Sequence, residues 1–315
     1  MPNSLHTLAG QVWRKARVAL RVHGKGTFPN FPIPVRLPFG AWWLAWNDVV
    51  GKAVLKGNFE RAECEFLMRL LQPGMVVLDV GAHHGYYTLL ASRRVSGTGR
   101  VFAFEPSPRE RKKLGWHLRW NRCSNVEVVS TALGSASGHA ELFLAAGRET
   151  GCNSLRPPAT SVERGTVSVP VETLDSFLSS RGVTRIDFVK LDVEGAELSV
   201  IEGAENLLSR APRPVILVEV SDLRTAAWGY PASKVLERLT GRGYQLFEPR
   251  FEPGFERNES GNKPRSEARG TAWLVPARFT AGPYDANFVA LPSERLDEFR
   301  QFLRSPVSAG RDSGS

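Results

Sequence analysis

From residue 59 to residue 248 the chain alternates short, almost unbroken apolar runs with stretches whose apolar positions recur every three or four residues. Runs at 75–80, 100–105, 125–130, 186–192 and 214–220 have the length and Val/Ile/Phe content of strands buried on both faces. Helical spacing fills 86–95, 108–120, 196–209 and 231–240, and 243–248 and 286–291 read as two late strands. An alternating pair at 139–144 and 166–171 interrupts the rhythm like a hairpin. Strands alternating with helices predict an α/β fold with a mostly parallel sheet covered by helices. Five such units and two closing strands outline a seven-stranded nucleotide-binding sheet. The flanks break the pattern, so three parts are expected: a basic, Pro/Trp-rich extension over 1–58, a sheet domain over 59–292 carrying a polar insertion at 249–270, and a C-terminal helix with a frayed tail over 293–315.

Composition narrows the class. With 42% hydrophobic and 23% charged residues the 315-residue chain is not disordered as a whole. Cys64, Cys123 and Cys152 are too few for a disulfide framework and fit a reducing compartment as buried or idle thiols. The net charge of +9 suggests nucleic acid or an anionic membrane until its placement is read. Residues 1–47 hold Arg14, Lys15, Arg17, Arg21, Lys25 and Arg36 and no acid, so the rest of the chain is near balance. No apolar run approaches the ~20 residues that span a bilayer, and basic residues interrupt 5–22, which is unlike a signal peptide. The expectation is a cytoplasmic protein. Its arm, 5–25, interleaves apolar and basic residues and is a candidate tether to an anionic membrane or a lipid-linked acceptor.

The densest chemistry lies at strand ends. Leu78-Asp79-Val80-Gly81-Ala82-His83-His84-Gly85-Tyr86 reads as a buried strand ending in an acid, a glycine turn and a helix start. The spacing is D-x-G-x-x-x-G. The dinucleotide fingerprint fails because His83 stands where its second glycine would be, which disfavours a dehydrogenase. Asp79 suits the ammonium of an amino acid better than a pyrophosphate. His84 reads as a partly exposed helix-entry residue. Glu105 ends the second strand twenty residues after Gly85, where a carboxylate can accept both hydroxyls of a ribose. After the third strand, Thr131, Ala132 and Leu133 are small or apolar enough to border a flat base.

Lys190-Leu191-Asp192-Val193-Glu194-Gly195-Ala196-Glu197 closes the fourth strand, and alternation puts Lys190 and Asp192 on one face at its carboxyl edge. Glu197 reads as a helix-capping acid. The fifth strand ends in Glu219. Four strands thus bring Asp79, Glu105, Asp192 and Glu219 to one rim, which calls for a cation or sugar hydroxyls to satisfy them. Asp192, Glu194 and Glu219 would also offer oxygen ligands to a divalent ion. No His/Cys ligand spacing accompanies them, so no metal is assigned.

Taken together, LDVGAHHGYYT at 78–88, Phe104-Glu105-Pro106, Ala132-Leu133-Gly134, KLDVEGAE at 190–197 and Gly203-Ala204 resemble the FkbM family of S-adenosylmethionine-dependent methyltransferases. The resemblance covers 59–248. It implies a class I, Rossmann-like sheet in the order 3-2-1-4-5-7-6, S-adenosylmethionine as cofactor, and methyl transfer to a hydroxyl oxygen of a small molecule, sugar or glycan. It also implies that Asp79, Gly81, Ala82, His83, Gly85 and Tyr86 hold the methionine part, Glu105 the ribose, and Thr131, Ala132 and Leu133 the adenine. Phe59-Glu60 looks like the family's upstream aromatic-Glu pair, so Glu60 would close over cofactor or acceptor. His83 departs from the family, which usually has Asn there; a neutral imidazole offers one donor and one acceptor in its place.

Chemically, in-line transfer to a hydroxyl needs alignment, exclusion of water and a home for one proton. Asp192 is expected to orient the hydroxyl and take that proton, with Lys190 tuning it and Glu194 or Glu219 binding further hydroxyls. The aromatic stretch 39–46 is expected either to cap the acceptor through Trp43 or to pack as core. An RNA methyltransferase would share the cofactor half, but the N/D-P-P-aromatic loop for a flipped base is missing, which disfavours nucleic acid. A non-catalytic scaffold would not need every acidic strand end. Oligomeric state and the acceptor's identity are not legible.

Overall fold

The computed structural model describes residues 31–157, 163–252, 255–256, 263–264, 271–278 and 283–304. A hairpin of β1 (Ile33–Arg36) and β2 (Trp42–Ala45) leads into α1 (Val49–Lys56) and α2 (Arg61–Leu70). The central sheet then begins with β3 (Val76–Val80), α3 (Tyr86–Val95), β4 (Arg100–Phe104), α4 (Pro108–Trp120) and β5 (Val126–Val129). A side sheet of β6 (Ala132–Leu133), β7 (Gly138–Ala145) and β8 (Glu163–Glu172) follows, then α5 (Leu174–Ser180). Next come β9 (Phe188–Leu191), α6 (Glu197–Glu202), α7 (Glu205–Ser209), β10 (Val215–Ser221), α8 (Asp222–Thr225) and α9 (Ser233–Thr240). The last strands are β11 (Tyr244–Glu252), the short pair β12 (Phe255–Glu256) and β13 (Lys263–Pro264), β14 (Thr271–Pro276) and β15 (Asp285–Pro292).

The main sheet runs β5-β4-β3-β9-β10-β15-β11-β14. In units of the predicted strands this is 3-2-1-4-5-7-6 with an eighth strand added beside the sixth. The five strands from β5 to β10 are parallel and β15 is antiparallel to both neighbours. Because β3, β9 and β10 are covered on both faces, they read as apolar runs interrupted by one charged residue each, Asp79, Lys190 and Glu219. Successive residues feed two cores. Val77, Val101, Phe188 and Leu217 pack under α2, α3 and the hairpin, whereas Leu78, Phe102, Val189 and Ile216 pack under α5, α6 and α9.

Several expectations are corrected. Residues 31–58 are not an extension: Ile33, Val35, Trp43 and Ala45 belong to the same core as the sheet face. The polar insertion begins later than expected, because Pro249–Glu252 still belong to β11 and pair with Thr271–Leu274 of β14. The helix expected over 196–209 breaks into α6 and α7 at Gly203, where a Cβ would lie 2.1 Å from the Gly134 carbonyl oxygen; only a glycine lets the two backbones meet. In the C-terminal part, Ser293–Phe302 form 3-10 turns, and Phe299 and Phe302 anchor them in the core. The hairpin expected at 139–144 and 166–171 is observed as β7 and β8, with His139 opposite Pro170. The basic arm, 5–25, and the tail beyond 304 lie outside the described residues.

Candidate functional site

Strand β3 delivers Asp79 to the carboxyl edge of the sheet, buried and accepting a hydrogen bond from Thr88 Oγ1 at 2.5 Å. Burial pushes its carboxyl up to about 6, against that hydrogen bond. The following turn is held from both sides. The amides of Gly81 and Ala82 donate to the Phe104 carbonyl, and the His83 amide donates to Glu105 Oε2 at 2.7 Å. Glu105 Oε1 accepts from the Ser107 amide at 2.8 Å, so the acid of the second strand clamps the turn of the first. Burial pushes the Glu105 carboxyl up to about 8 although both amides favour its charge. Gly81 and Gly85 both sit at φ +87°, but for reasons other than ligand approach. A Cβ on Gly81 would lie 1.8 Å from the Asp192 carbonyl oxygen, and one on Gly85 would lie 2.4 Å from Leu114 Cδ1. Gly85 is the N-terminal cap of α3 and packs against α4.

His83 adopts a left-handed conformation, φ 49°, which Asn and His tolerate better than most residues. Its Nε2 lies 3.4 Å from Thr150 Oγ1 and its ring stacks on His84 at 3.6 Å. Glu60 (φ 35°) and Glu194 (φ 55°) share the left-handed region. Three residues with left-handed backbones therefore line one cavity, each at a typical cost of about 1–3 kcal/mol; strain of this kind collects where function holds it.

That cavity has a volume of about 390 Å³. Among the expected residues, Trp43, Glu60, Asp79, Gly81, Ala82, His83, Tyr86, Glu105, Thr131, Ala132, Leu133, Lys190, Asp192, Glu194 and Glu219 line it, and Gly85 does not. Register explains the convergence. Asp79 and Lys190 are cross-strand partners, Lys190 is also opposite Leu217, and Glu219 follows two residues later on the same face. Lys190 is buried with Nζ 3.0 Å from Asp192 Oδ2. Burial draws that ammonium toward its neutral form, but Asp192, Glu60 and Glu219 together raise its pKa above the usual lysine value. Asp192 is driven up by burial yet ends below its ordinary value, because Lys190, a hydrogen bond from Glu219 and Arg224 favour the charge.

The other acids move the opposite way. Burial and the neighbouring Asp192 charge push Glu194 up to about 8 and Glu219 well above its usual range, although Arg224 opposes both. Arg224 bridges them, with Nε 2.7 Å from Glu194 and a terminal nitrogen donating to Glu219. Glu60 accepts from the Tyr87 hydroxyl and is raised by burial. Asp192 is thus the carboxylate that the cluster keeps ionised, with a quarter of its side chain exposed. Glu197 Oε1 accepts the amides of Val193 and Gly195, each at 3.1 Å, so this acid fastens the loop before α6 and does not cap the helix as expected.

Behind the turn the structure corrects two expectations. His84 is 1% exposed rather than partly exposed; its Nε2 is 3.0 Å from Lys113 Nζ, its ring faces Asp48, and burial lowers its pKa well below the usual histidine value. Trp43 is fully buried and stacks on His117 at 5.2 Å, so it backs the cavity wall as core and has no surface for an acceptor. His83, His84 and Glu110 lie close enough together to share a cation, but the Lys113 ammonium already occupies the His84 Nε2 lone pair.

Sequence reasoning missed the cover of the site. Residues 146–157, between β7 and β8, cross the cavity as Arg148, Glu149, Thr150, Asn153 and Ser154. Ser154 Oγ donates to the Glu194 carbonyl at 2.8 Å, and the Val49 amide donates to the Arg148 carbonyl at 3.1 Å. The segment is polar and aperiodic, so no pattern marked it. Tyr87 and Arg224 were likewise missed; the only signal was an arginine five residues after the strand-end acid Glu219.

Residues 79–246 match the model of the methyltransferase FkbM domain. The chain is 28% identical over 212 residues to the AMB antimetabolite synthetase AmbE of Pseudomonas aeruginosa, a match that covers 56% of this chain and 10% of that protein. It is 25% identical over 185 residues to the 2-O-methyltransferase NoeI of Sinorhizobium fredii, covering 54% of this chain and 73% of that protein. The chain therefore spans only a tenth of the length of the first of these relatives. A crystal structure of methyltransferase FkbM from Methylobacillus flagellatus aligns over 77% of this chain and 52% of its own, with 17% identity and a TM-score of 0.39.

Proposed function

Because the chain belongs to the methyltransferase FkbM family, we propose that it transfers a methyl group from S-adenosylmethionine to a hydroxyl oxygen of a small-molecule, sugar or glycan acceptor, with Asp192 receiving the proton. The cofactor supplies a methyl group on a sulfonium whose positive charge disappears as the methyl leaves. An acid-rich cavity fits such a cation. Asp79 stands where the amino-acid part would be bound, beside the turn from Gly81 through Ala82 and His83 to Tyr86. Glu105 spends one lone pair of each oxygen on a backbone amide, which leaves one on each for the two ribose hydroxyls. Thr131, Ala132 and Leu133 border the same cavity on the adenine side.

On the acceptor side, Asp192 accepts a hydrogen bond from the incoming hydroxyl and thereby aims its oxygen at the methyl carbon. With the cofactor bound and supplying the methyl group, the Asp192 carboxylate would take the proton that the acceptor hydroxyl gives up. A strong base is not required, because an alkylated hydroxyl is a far stronger acid than a carboxylic acid. Lys190 keeps Asp192 ionised until that moment. Glu60, Glu194 and Glu219, raised toward their neutral forms, donate to or accept from further hydroxyls of a polyol. The pair of Lys190 and Asp192 at 3.0 Å, in one cavity with Asp79 and Glu105, carries this reading. A relative named as a 2-O-methyltransferase supports a hydroxyl oxygen as acceptor.

Asp192→Asn tests it, assayed with labelled S-adenosylmethionine and glycan or metabolite pools followed by mass spectrometry. A carboxamide can orient a hydroxyl but takes no proton, so turnover should fall by roughly 10²–10⁴ with cofactor affinity unchanged. Intact turnover in this variant would remove the role.

A further inference from the structure

The hairpin and α4 build a face that the methyl-transfer reading does not use. Trp42 of β2 stacks on Trp120 of α4 at 5.5 Å and 17°, and Trp46 stacks on Trp116 at 5.9 Å and 27°. Three of these four rings stay at the surface: Trp42 is 40% exposed, Trp116 36% and Trp120 43%. Lys112, Trp116, Arg119 and Trp120 recur at helical spacing along the outer side of α4, opposite the buried Leu114, His117 and Leu118. Cations sit over the indoles, with Arg36 above Trp42, Lys112 above Trp116 and Lys113 above Trp46. The face is rigid as well. Asn121 accepts from the Trp42 amide and donates to its carbonyl, both at 2.7 Å, which locks strand to helix.

We propose that this tryptophan–lysine face seats the protein on an anionic lipid surface. Indoles are favoured at the headgroup level, where one edge meets hydrocarbon and the other meets water, and basic side chains beside them pair with lipid phosphates. Charge complementarity supports the choice: the segments 31–47 and 111–124 contain no acidic residue. The chain outside the described residues adds to it, because the acid-free arm with Arg14, Lys15, Arg17, Arg21 and Lys25 precedes Phe31, two residues before β1 of this hairpin begins. Nucleic acid fits less well. Trp42, Trp46 and Trp116 each already stack on a second indole and have a cation within 6.0 Å of the ring, and both would compete with a base for the ring faces. A second copy fits less well still, since two such faces would bring like charges together. The geometry also has a use: α1 begins three residues after Trp46, and its Val49, 58% exposed, lines the rim of the cavity.

The test is flotation of the full chain with vesicles of phosphatidylcholine alone or mixed equally with phosphatidylglycerol, at low and high salt, with tryptophan emission recorded. Binding to the anionic vesicles only, weakened by salt and accompanied by a blue shift, is the expected result. Lys112→Gln with Arg119→Gln should weaken it by roughly tenfold or more, since each basic residue near such a surface is worth about fivefold. Trp116→Ser with Trp120→Ser should abolish the blue shift. Both double variants should keep the near-ultraviolet circular dichroism and the S-adenosylmethionine affinity of the parent chain. Equal binding to neutral vesicles overturns the proposal. So does unchanged binding of the charge-neutralised variant, which would assign the contact to the arm alone. Release from anionic vesicles by polyuridylate bound more tightly than lipid would make nucleic acid the occupant and overturn it too.

Discussion

Replacing Lys190 with methionine removes the ammonium while keeping most of the stem that packs in the sheet. The loss leaves Asp192 as a largely buried carboxylate facing Glu194 and Glu219, with Arg224 as its remaining cation. Breaking a buried pair in this way typically costs ~3–5 kcal/mol, and the lower end applies because a quarter of Asp192 meets the cavity. Protonation sets a ceiling. A carboxyl with an unfolded pKa near 3.9 can always fold as the neutral acid, at a cost of about 1.36 kcal/mol per pH unit above that value, or ~4 kcal/mol at pH 7 and ~1.5 kcal/mol at pH 5. In the parent chain the folded pKa of Asp192 is depressed, so its contribution is present above the unfolded value and lost only as pH falls through the folded one. In the variant the folded pKa is raised, so stability is lost as pH rises. Urea unfolding should therefore show Lys190→Met destabilised by about 3 kcal/mol at pH 7, with the gap closing to about 1.5 kcal/mol or less at pH 5. A gap below about 1 kcal/mol at pH 7, or one that does not change with pH, would refute the claim that Lys190 holds the Asp192 charge.

Other consequences can be checked separately. If ribose hydroxyls need Glu105 ionised, S-adenosylmethionine affinity should rise with pH toward about 8 and then level off, with proton release on binding by calorimetry; Glu105→Gln should bind weakly and lose the pH dependence, and an affinity that falls with pH would contradict the role. Gly81→Ala forces a Cβ to within 1.8 Å of the Asp192 carbonyl at a left-handed φ, so a loss of about 2–5 kcal/mol and of cofactor binding is expected by urea midpoint and calorimetry. Ser154→Ala removes the tie from the covering segment to the Glu194 carbonyl; it should raise KM for the acceptor while cofactor affinity stays constant in equilibrium binding.

Much of this protein was legible in one dimension because it depends on local order. Parallel strands buried on both faces must be near-continuous apolar runs, and their carboxyl ends must collect ligands, so Asp79, Glu105, Asp192 and Glu219 could be assigned to one rim from strand ends alone. Alternation alone likewise puts Lys190 and Asp192 on one face. Three things depended on approach between segments distant in sequence. Gly81 and Gly85 look like ligand-approach glycines, yet their Cβ positions are taken by the Asp192 carbonyl and by Leu114. Trp43 looks like an acceptor platform, yet packing against His117 leaves it no surface. The protonation pattern, with Asp192 ionised among acids pushed toward neutrality, comes from Lys190 and Arg224 reaching different members of one buried cluster. A residue's type and spacing determine which edge or face it occupies. What its side chain meets there, and so its charge, is decided by the distances that only tertiary packing sets.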